Sequence, residues 1–206
     1  MNMLVMDTSS DKLLLAVLKG EKIFTANNEG KYMETLLPAI DKLFKESGLS
    51  LEQLDTIGVV VGPGSFTGVR IGVSTVKGFI FAHSNIKVAA VNALELLAYT
   101  TMAKQAKDTV TAVIPSTASK LYIGRFKKGG EPKYSLENTH GFSDLNSTTE
   151  QHYDLDVENK VEVDESDLIA FCQHLVKEER FGELNPYYLA LSQAEENLLK
   201  KEGGDA

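Results

Sequence analysis

The sequence predicts an α/β fold built from two related units, of which the second is shortened and degenerate. Three short apolar runs at 3–6, 13–18 and 23–25, separated by polar turns, indicate an antiparallel meander. A stretch with helical period follows, and then a β-branched run at 57–61 enters a glycine-rich turn and a second helix. The same order of strands and helices returns in weaker form after about residue 104, which predicts the second unit.

The first predicted helix runs from about Lys31 to Gly48. Its apolar residues recur every three or four positions, as on the buried stripe of an amphipathic helix. Pro38 lies inside this pattern and is expected to kink the helix or to mark its first turn. After Gly48, Ser50 and Gln53 have the spacing of a capping box, which predicts a short helical turn.

The second predicted helix follows the glycine-rich turn and extends to about His83. Val69, Val73 and Val76 form one apolar line, but four more large apolar residues lie off it, so we expect burial on more than one side and a surface that faces another protein. Lys87–Val91 predicts a further strand, and Asn92 with Glu95 three positions later predicts the start of a third helix. The residues off the line are Phe66, Ile71, Phe79 and Phe81.

The second half of the chain has weaker signals. Apolar runs at 110–114 and 121–126 predict two strands, and dense turn signals at 127–132 follow the second of them. Helical spacing at 168–181 and 191–201 predicts two further helices.

The charge of the chain is concentrated in one segment. The 206 residues include 21 Lys and Arg against 29 Asp and Glu, a net charge of −8. Eight of the acids and one base lie between residues 150 and 167, so this segment carries −7 and the remainder −1. We expect a solvated acidic loop there. The balance argues against strong binding of nucleic-acid phosphates by this chain alone.

Cysteine and histidine usage excludes several classes of site. Cys172 is the single cysteine, which excludes an internal disulfide and a cysteine-rich zinc site and fits a reducing cytoplasm. The four histidines include no H-x-x-x-H pair, so no local helical metal motif is present. The first residues lack the basic region of a signal peptide, and no apolar run approaches the roughly 18 residues that span a bilayer. We therefore expect a cytoplasmic protein that holds no metal.

Nucleophilic catalysis has little support in the sequence. Ser65 and Ser74 have no histidine nearby, and the G-x-S-x-G pattern is absent. Cys172 lies beside Phe171 in a predicted helix and is expected to be a small buried hydrophobe. No catalytic residue is therefore predicted.

The glycine-rich turn at 62–72 admits two hypotheses. A glycine turn before a helix can hold a phosphate, or it can allow a tight turn and a close helix contact. The spacing matches neither Walker A, because no lysine follows Gly68, nor the dinucleotide fingerprint. Asp7, Thr8 and Ser9 likewise could point a carboxylate and hydroxyls at a nucleotide or simply form a turn. The residues of the turn are Gly62, Pro63, Gly64, Ser65, Thr67, Gly68, Arg70 and Gly72.

The eleven residues from Gly62 to Gly72 closely resemble the motif of the bacterial TsaB (YeaZ) family. Asp7–Ser9 after the first strand, Leu36–Ile40 in the first helix, and Pro186–Leu189 and Gln193–Glu195 near the end match as well. The resemblance implies an actin/Hsp70/sugar-kinase-like (ribonuclease H-like) fold of two subdomains. We expect a first subdomain at 1–103, a degenerate second subdomain at 104–190, and a C-terminal helix and tail at 191–206 that pack back on the first.

The resemblance also implies a function. Members of the family are non-catalytic partners of the paralogous TsaD, which, with the ATPase TsaE, puts a threonylcarbamoyl group on N6 of adenosine 37 in tRNAs reading ANN codons. ATP and a metal are then expected in the partner subunits and none in this chain alone, with tRNA contacted through the complex. The first two helices, about 31–47 and 66–83, are expected to bind the partner. If the free chain forms a homodimer, a two-fold contact needs one self-complementary patch, and the same helices would supply it.

The residues that follow from this resemblance form two groups. The partner interface is expected to use Met33, Leu36, Leu37, Ile40, Phe66, Val69, Val73, Val76 and Ile80, and a vestigial nucleotide loop to consist of Asp7, Thr8 and Ser9. Two alternatives stay open at this point. One is a small ATP-dependent kinase of the same fold that uses Asp7 and the loop 62–68, and the other, with much less support, is a glycoprotease-like metallopeptidase.

Overall fold

The computed structural model describes residues 1–26, 32–117, 120–138 and 161–188, and its main feature is a five-stranded mixed sheet. The order of strands in it is β3-β2-β1-β4-β5. The first three strands form the predicted antiparallel meander, and the fourth and fifth run parallel to the first. The strands are β1 (Asn2–Asp7), β2 (Leu14–Lys19), β3 (Lys22–Thr25), β4 (Thr56–Gly62) and β5 (Lys87–Asn92).

Helices cover both faces of this sheet, and the four α-helices among the described residues begin within a few residues of a predicted start. The first two pack on one face, the fourth packs on the other, and the third lies between this sheet and a second one. The helices are α1 (Tyr32–Ser47), α2 (Phe66–Ala82), α3 (Ala93–Gln105) and α4 (Glu165–Lys177), with a short 3-10 turn (Leu51–Gln53) at the predicted capping box.

The central strand β1 is buried on both sides. Leu4 and Met6 point into the core formed with α1 and α2, whereas Met3 and Val5 point into the core formed with α4. All four side chains are 0% exposed. Burying an apolar side chain of this size contributes about 1.5–3 kcal/mol, so β1 stabilises the packing on both faces of the sheet.

The first helix ends where the sequence predicts. Gly48 has a φ of +62°, and the Leu49 amide donates to the Phe44 carbonyl over 3.1 Å, as in a helix C-terminal cap. The Lys19 ammonium also donates to the Ser47 carbonyl over 2.8 Å. Pro38 lies inside α1, after its first turn, and is exposed.

A second, three-stranded antiparallel sheet follows α3. It consists of β6 (Thr109–Thr117), β7 (Lys120–Lys127) and β8 (Lys133–Asn138), in that order. Leu94 and Ala98 of α3 pack against its inner residues. The sequence predicts the first two strands but misses β8, whose only large apolar residues are Tyr134 and Leu136. Pairing with β7, rather than its own pattern, makes this segment a strand.

The fourth helix is shorter at its end than predicted and begins earlier. Asp164 caps it by accepting hydrogen bonds from the Ser166 and Asp167 amides, over 2.9 and 3.0 Å. Residues 164–167, expected to be part of a solvated loop, therefore form the cap and first turn of a helix, where acidic side chains are favourable. At the other end Glu179 adopts a φ of 54°, which stops the helix before the predicted residue 181.

The position of α4 bears on the predicted division of the chain into two subdomains. This helix falls within 104–190, yet its buried residues pack on the face of the first sheet opposite α1 and α2. The boundaries at 103 and 190 stay predictions. The helix predicted at 191–201 lies outside the described residues.

Candidate functional site

The glycine-rich turn connects the buried strand β4 to α2. Gly62 ends the strand with a φ of 111°, a conformation that favours glycine. Ser65 caps α2, because its hydroxyl accepts a hydrogen bond from the Gly68 amide over 3.2 Å. The Ser65 amide in turn donates to the Ser9 carbonyl over 2.6 Å. The turn is therefore attached to the loop that follows β1.

Two glycines of the motif are required by contact with that loop. A Cβ on Gly64 would overlap the backbone carbonyl oxygen of Ser9, and one on Gly72 would lie 2.6 Å from the Thr8 hydroxyl. Thr8 also donates from that hydroxyl to the Gly68 carbonyl over 2.7 Å. Of the two hypotheses for the motif, the structure supports the tight turn with a close helix contact.

The predicted vestigial nucleotide loop is covered by this contact. Asp7, Thr8 and Ser9 are 8%, 0% and 7% exposed. The Ser9 amide donates to the Asp7 carboxylate over 2.7 Å, which closes the turn on itself. The hydroxyl and carboxylate of Thr8 and Asp7 thus serve the packing of the chain.

Burial raises the pKa of the Asp7 carboxyl above its ordinary value of 3.8, although the hydrogen bond from Ser9 opposes this. A folded-state pKa above the unfolded one means that the unfolded chain ionises first as the pH rises. The stability associated with Asp7 is therefore complete below about pH 4 and is lost as the pH rises through the folded-state pKa.

We expect Asp7→Asn to raise the free energy of unfolding at pH 7, because the amide oxygen still accepts from Ser9 and no charge is buried. Each unit of pKa shift corresponds to about 1.4 kcal/mol. Urea unfolding of both proteins between pH 4 and 8 checks this, and the difference should shrink towards pH 4. A variant that is less stable than its parent at pH 7 would contradict it.

The segment 181–188 lies against the glycine turn and α2. The Tyr187 amide donates to the Val61 carbonyl over 2.7 Å, and a Cβ on Gly62 would lie 2.7 Å from the Tyr187 carbonyl oxygen. The motif at 62–72 and the described residues 186–188 of the second motif therefore meet in space. Their separation along the chain hid this contact from sequence reasoning.

An aromatic and cationic stack fixes the same segment on the outer side of α2. The ring of Tyr188 stacks on Phe66 with centroids 4.3 Å apart. The Arg70 guanidinium lies 4.2 Å from the centre of the Phe66 ring, and its Nε donates to the Tyr188 hydroxyl over 3.0 Å. Such a stack combines ring packing with a cation–π contact. Arg70 and Phe66 therefore hold the chain's own C-terminal segment.

Five of the predicted interface residues prove to be core residues. The structure corrects their assignment, because each is at most 3% exposed and packs in the core between the sheet and the first two helices. A side chain buried by its own chain has no surface to offer a partner. These residues are Leu36, Ile40, Val69, Val73 and Val76.

The other predicted interface positions differ among themselves. Leu37 is 58% exposed on α1, whereas Phe66 and Ile80 on α2 are partly buried. Met33 is the second residue of α1, and its side chain lies outside the described part of the structure. Of the turn residues, Gly62, Pro63, Gly68 and Gly72 are buried, Gly64 is partly buried, and Ser65, Thr67 and Arg70 are exposed.

Phe81 is one of the residues that lie off the Val69–Val76 line, but it is not among the residues predicted for the partner interface. Phe81, in the last turn of α2, is 94% exposed. Its position off the Val69–Val76 line was the available signal. Leu37 and Phe81 are therefore the large apolar side chains exposed on the described parts of α1 and α2, two helices that pack on one side of the sheet.

Groups that could carry chemistry are few in the described ranges. Cys172 is 0% exposed, and burial raises the pKa of its thiol to about 12, so it is a packing residue as expected. No three His, Cys, Asp or Glu side chains within residues 1–26, 32–117, 120–138 and 161–188 converge as metal ligands. Over the same ranges no helix has the length and apolar character needed to cross a membrane.

The family described as "TsaD: tRNA N6-adenosine threonylcarbamoyltransferase" matches residues 27–141. The chain belongs to this family. Within it, the similarity to bacterial TsaB is confirmed by curated relatives called "tRNA threonylcarbamoyladenosine biosynthesis protein TsaB". The relative from Haemophilus influenzae is 32% identical over 129 residues, which cover 61% of this chain and 53% of the relative. That from Bacillus subtilis is 27% identical over 130 residues, 62% of this chain and 56% of the relative.

The chain thus matches only about half the length of these relatives. Among solved structures, YeaZ from Pseudomonas aeruginosa superimposes with a TM-score of 0.73 at 24% identity, covering 91% of this chain and 99% of that one. This likeness confirms the predicted α/β fold.

Proposed function

We propose that this TsaD-family chain is a non-catalytic scaffold subunit that binds and stabilises TsaD. In the proposed complex, TsaD and the ATPase TsaE transfer a threonylcarbamoyl group to N6 of adenosine 37 in tRNAs that read ANN codons. The complex works in the cytoplasm, and ATP and the metal belong to the partner subunits.

The observation that carries this proposal is the packing of the glycine motif. Thr8, Ser9 and Tyr187 contact the positions where a phosphate would approach the backbone of the turn. The motif thus fixes the start of α2 at the carboxyl end of β4, an interior strand of the sheet. A scaffold needs such a rigid platform, whereas a nucleotide enzyme needs the same backbone amides free.

The surface proposed for TsaD is the outer side of α1 and α2. Leu37 and Phe81 are apolar side chains exposed on elements that the core holds in place. Buried aromatic anchors commonly dominate the energy of protein interfaces, and Phe81 is the aromatic residue of this pair. A homodimer of the free chain would use the same surface, because a two-fold contact pairs one patch with itself.

Co-expression with TsaD of the same genome, followed by size-exclusion chromatography with and without TsaE and ATP, tests the proposal. We expect the two chains to co-elute, and we expect the tRNA-modifying activity to require TsaD while this chain alone has none. Separate elution under every condition would contradict the scaffold role.

The contacts of Thr8, Ser9 and Tyr187 with the glycine turn also disfavour the kinase alternative, because a kinase would use this turn to bind its nucleotide. A separate cavity of about 320 Å³ lies near the ends of β5 and α4. It is lined by the charged residues Glu95 and Arg180, but these pair with each other over 2.9 Å. The Tyr134 hydroxyl donates to the same carboxylate over 2.6 Å. Titration calorimetry of the isolated chain with Mg-ATP distinguishes the two functions, since micromolar binding would favour the kinase.

A further inference from the structure

The second sheet is basic, although the chain as a whole is acidic. Residues 107–133 contain six Lys or Arg and two Asp or Glu, a net charge of +4. All other residues together therefore carry −12, given the total of −8. The residues outside the acidic segment 150–167 are nearly neutral on average, but they include this positive region. It covers β6, β7 and the turn before β8.

The structure gathers three of the five lysines of this region at one end of the sheet. Lys127 ends β7, Lys128 follows it, and Lys133 begins β8 on the other side of the turn. Lys133 pairs across the strands with Arg125, and Lys127 with Thr109. Adjacent strands are about 4.8 Å apart. The three lysines and Arg125 thus share a patch two strands wide, which we call the hairpin patch.

The lysines of the hairpin patch are open to solvent, whereas Arg125 is half-buried. Residues 127–133 are all exposed, and Gly129 has a φ of +74° that tightens the turn between the lysines. Lys128 makes a long ion pair of 3.8 Å with Asp108, and both side chains are about 80% exposed. An ion pair so exposed contributes little and can exchange for another anion.

The composition of the patch selects one kind of anionic partner. The tip from 127 to 133 has no aromatic or large aliphatic residue. Amphipathic segments that lie in a membrane surface combine basic residues with apolar side chains that enter the lipid. Clustered lysines without such side chains fit a phosphate backbone that stays in water.

We propose that the hairpin patch binds the phosphate backbone of RNA. The inference rests on the proposed function for its partner, since a subunit of a tRNA-modifying complex works beside a polyanion. The acidic remainder of this chain would limit the affinity of the free chain for RNA. The patch would then act as a secondary contact beside the main tRNA site of the complex.

The test uses the full chain and an unmodified tRNA transcript, with binding followed by fluorescence anisotropy from about 50 to 200 mM salt. The variant Lys127→Gln/Lys128→Gln/Lys133→Gln is compared with a control of equal charge change, Lys22→Gln/Lys42→Gln/Lys45→Gln, whose lysines are also exposed. We expect the hairpin variant to bind at least about tenfold more weakly. We also expect the slope of log K against log salt to fall by up to about 3, one unit for each lost phosphate contact.

Three outcomes would overturn the proposal: equal losses in both variants, no salt-dependent binding by the parent chain, or binding of phosphatidylserine vesicles in place of RNA. If thermal unfolding shows that the triple variant is destabilised, Lys128→Gln/Lys133→Gln replaces it under the same criteria. Co-elution with TsaD separates this failure from failure of the scaffold role, because the hairpin variant should still co-elute.

Discussion

Replacing Gly64 with alanine is expected to lower the free energy of unfolding by about 3 kcal/mol. The new Cβ would overlap the Ser9 carbonyl oxygen, which is a backbone atom and cannot rotate away. That carbonyl already accepts from the Ser65 amide, so relief of the overlap would break a buried connection between the first loop and α2. Urea unfolding followed by far-ultraviolet circular dichroism measures the change.

A glycine in α2 provides the matched control. Gly78 is exposed, and no atom lies within 4 Å of the Cβ that alanine would add. Gly78→Ala should therefore stabilise the protein by about 0.5–1 kcal/mol, because alanine favours the helix. If Gly64→Ala were as stable as Gly78→Ala, the close approach to Ser9 would not be what the motif requires.

Phe81→Lys is expected to weaken binding of TsaD at least about thirtyfold while leaving the fold intact. A central aromatic anchor typically contributes 2 kcal/mol or more to an interface. Phe81 is 94% exposed, so its removal costs the isolated chain almost no packing, and lysine suits the last turn of a helix. Biolayer interferometry against immobilised TsaD, together with the thermal midpoint of the free chain, checks both parts.

Ile23→Lys is the control for that variant. Ile23 is 40% exposed on the edge strand β3 and receives the same new side chain away from the outer face of α2. It should bind TsaD as the parent does. Introducing a charge at Val76 of the same helix would not test the interface, because Val76 is 0% exposed and the charge would be buried in the core. Equal binding by Phe81→Lys and the parent would exclude this face of α2 as the interface.

Local patterns accounted for most of the elements. Periods of two and of about 3.6 located the meander and the helices, and capping residues such as Asn92 and Ser50 marked helix starts that the structure confirms. The strand β8 was not predicted, because pairing with β7 and not its own sequence pattern holds it extended. The end of α4 was not predicted either, because Glu179 adopts a left-handed backbone conformation that is uncommon for glutamate.

The residue pattern alone was enough to establish the α/β class, the strand–turn–helix unit around the glycines and the family resemblance. It could not separate core from interface, since Val76 and Phe81 are both apolar residues of one helix and differ only in what packs against them. Nor could it predict that Tyr188 stacks on Phe66, or that three lysines lie together at one end of a sheet within an acidic chain. Periodicity reports which way a side chain points along its own element, whereas burial and charge density depend on which distant elements fold against it.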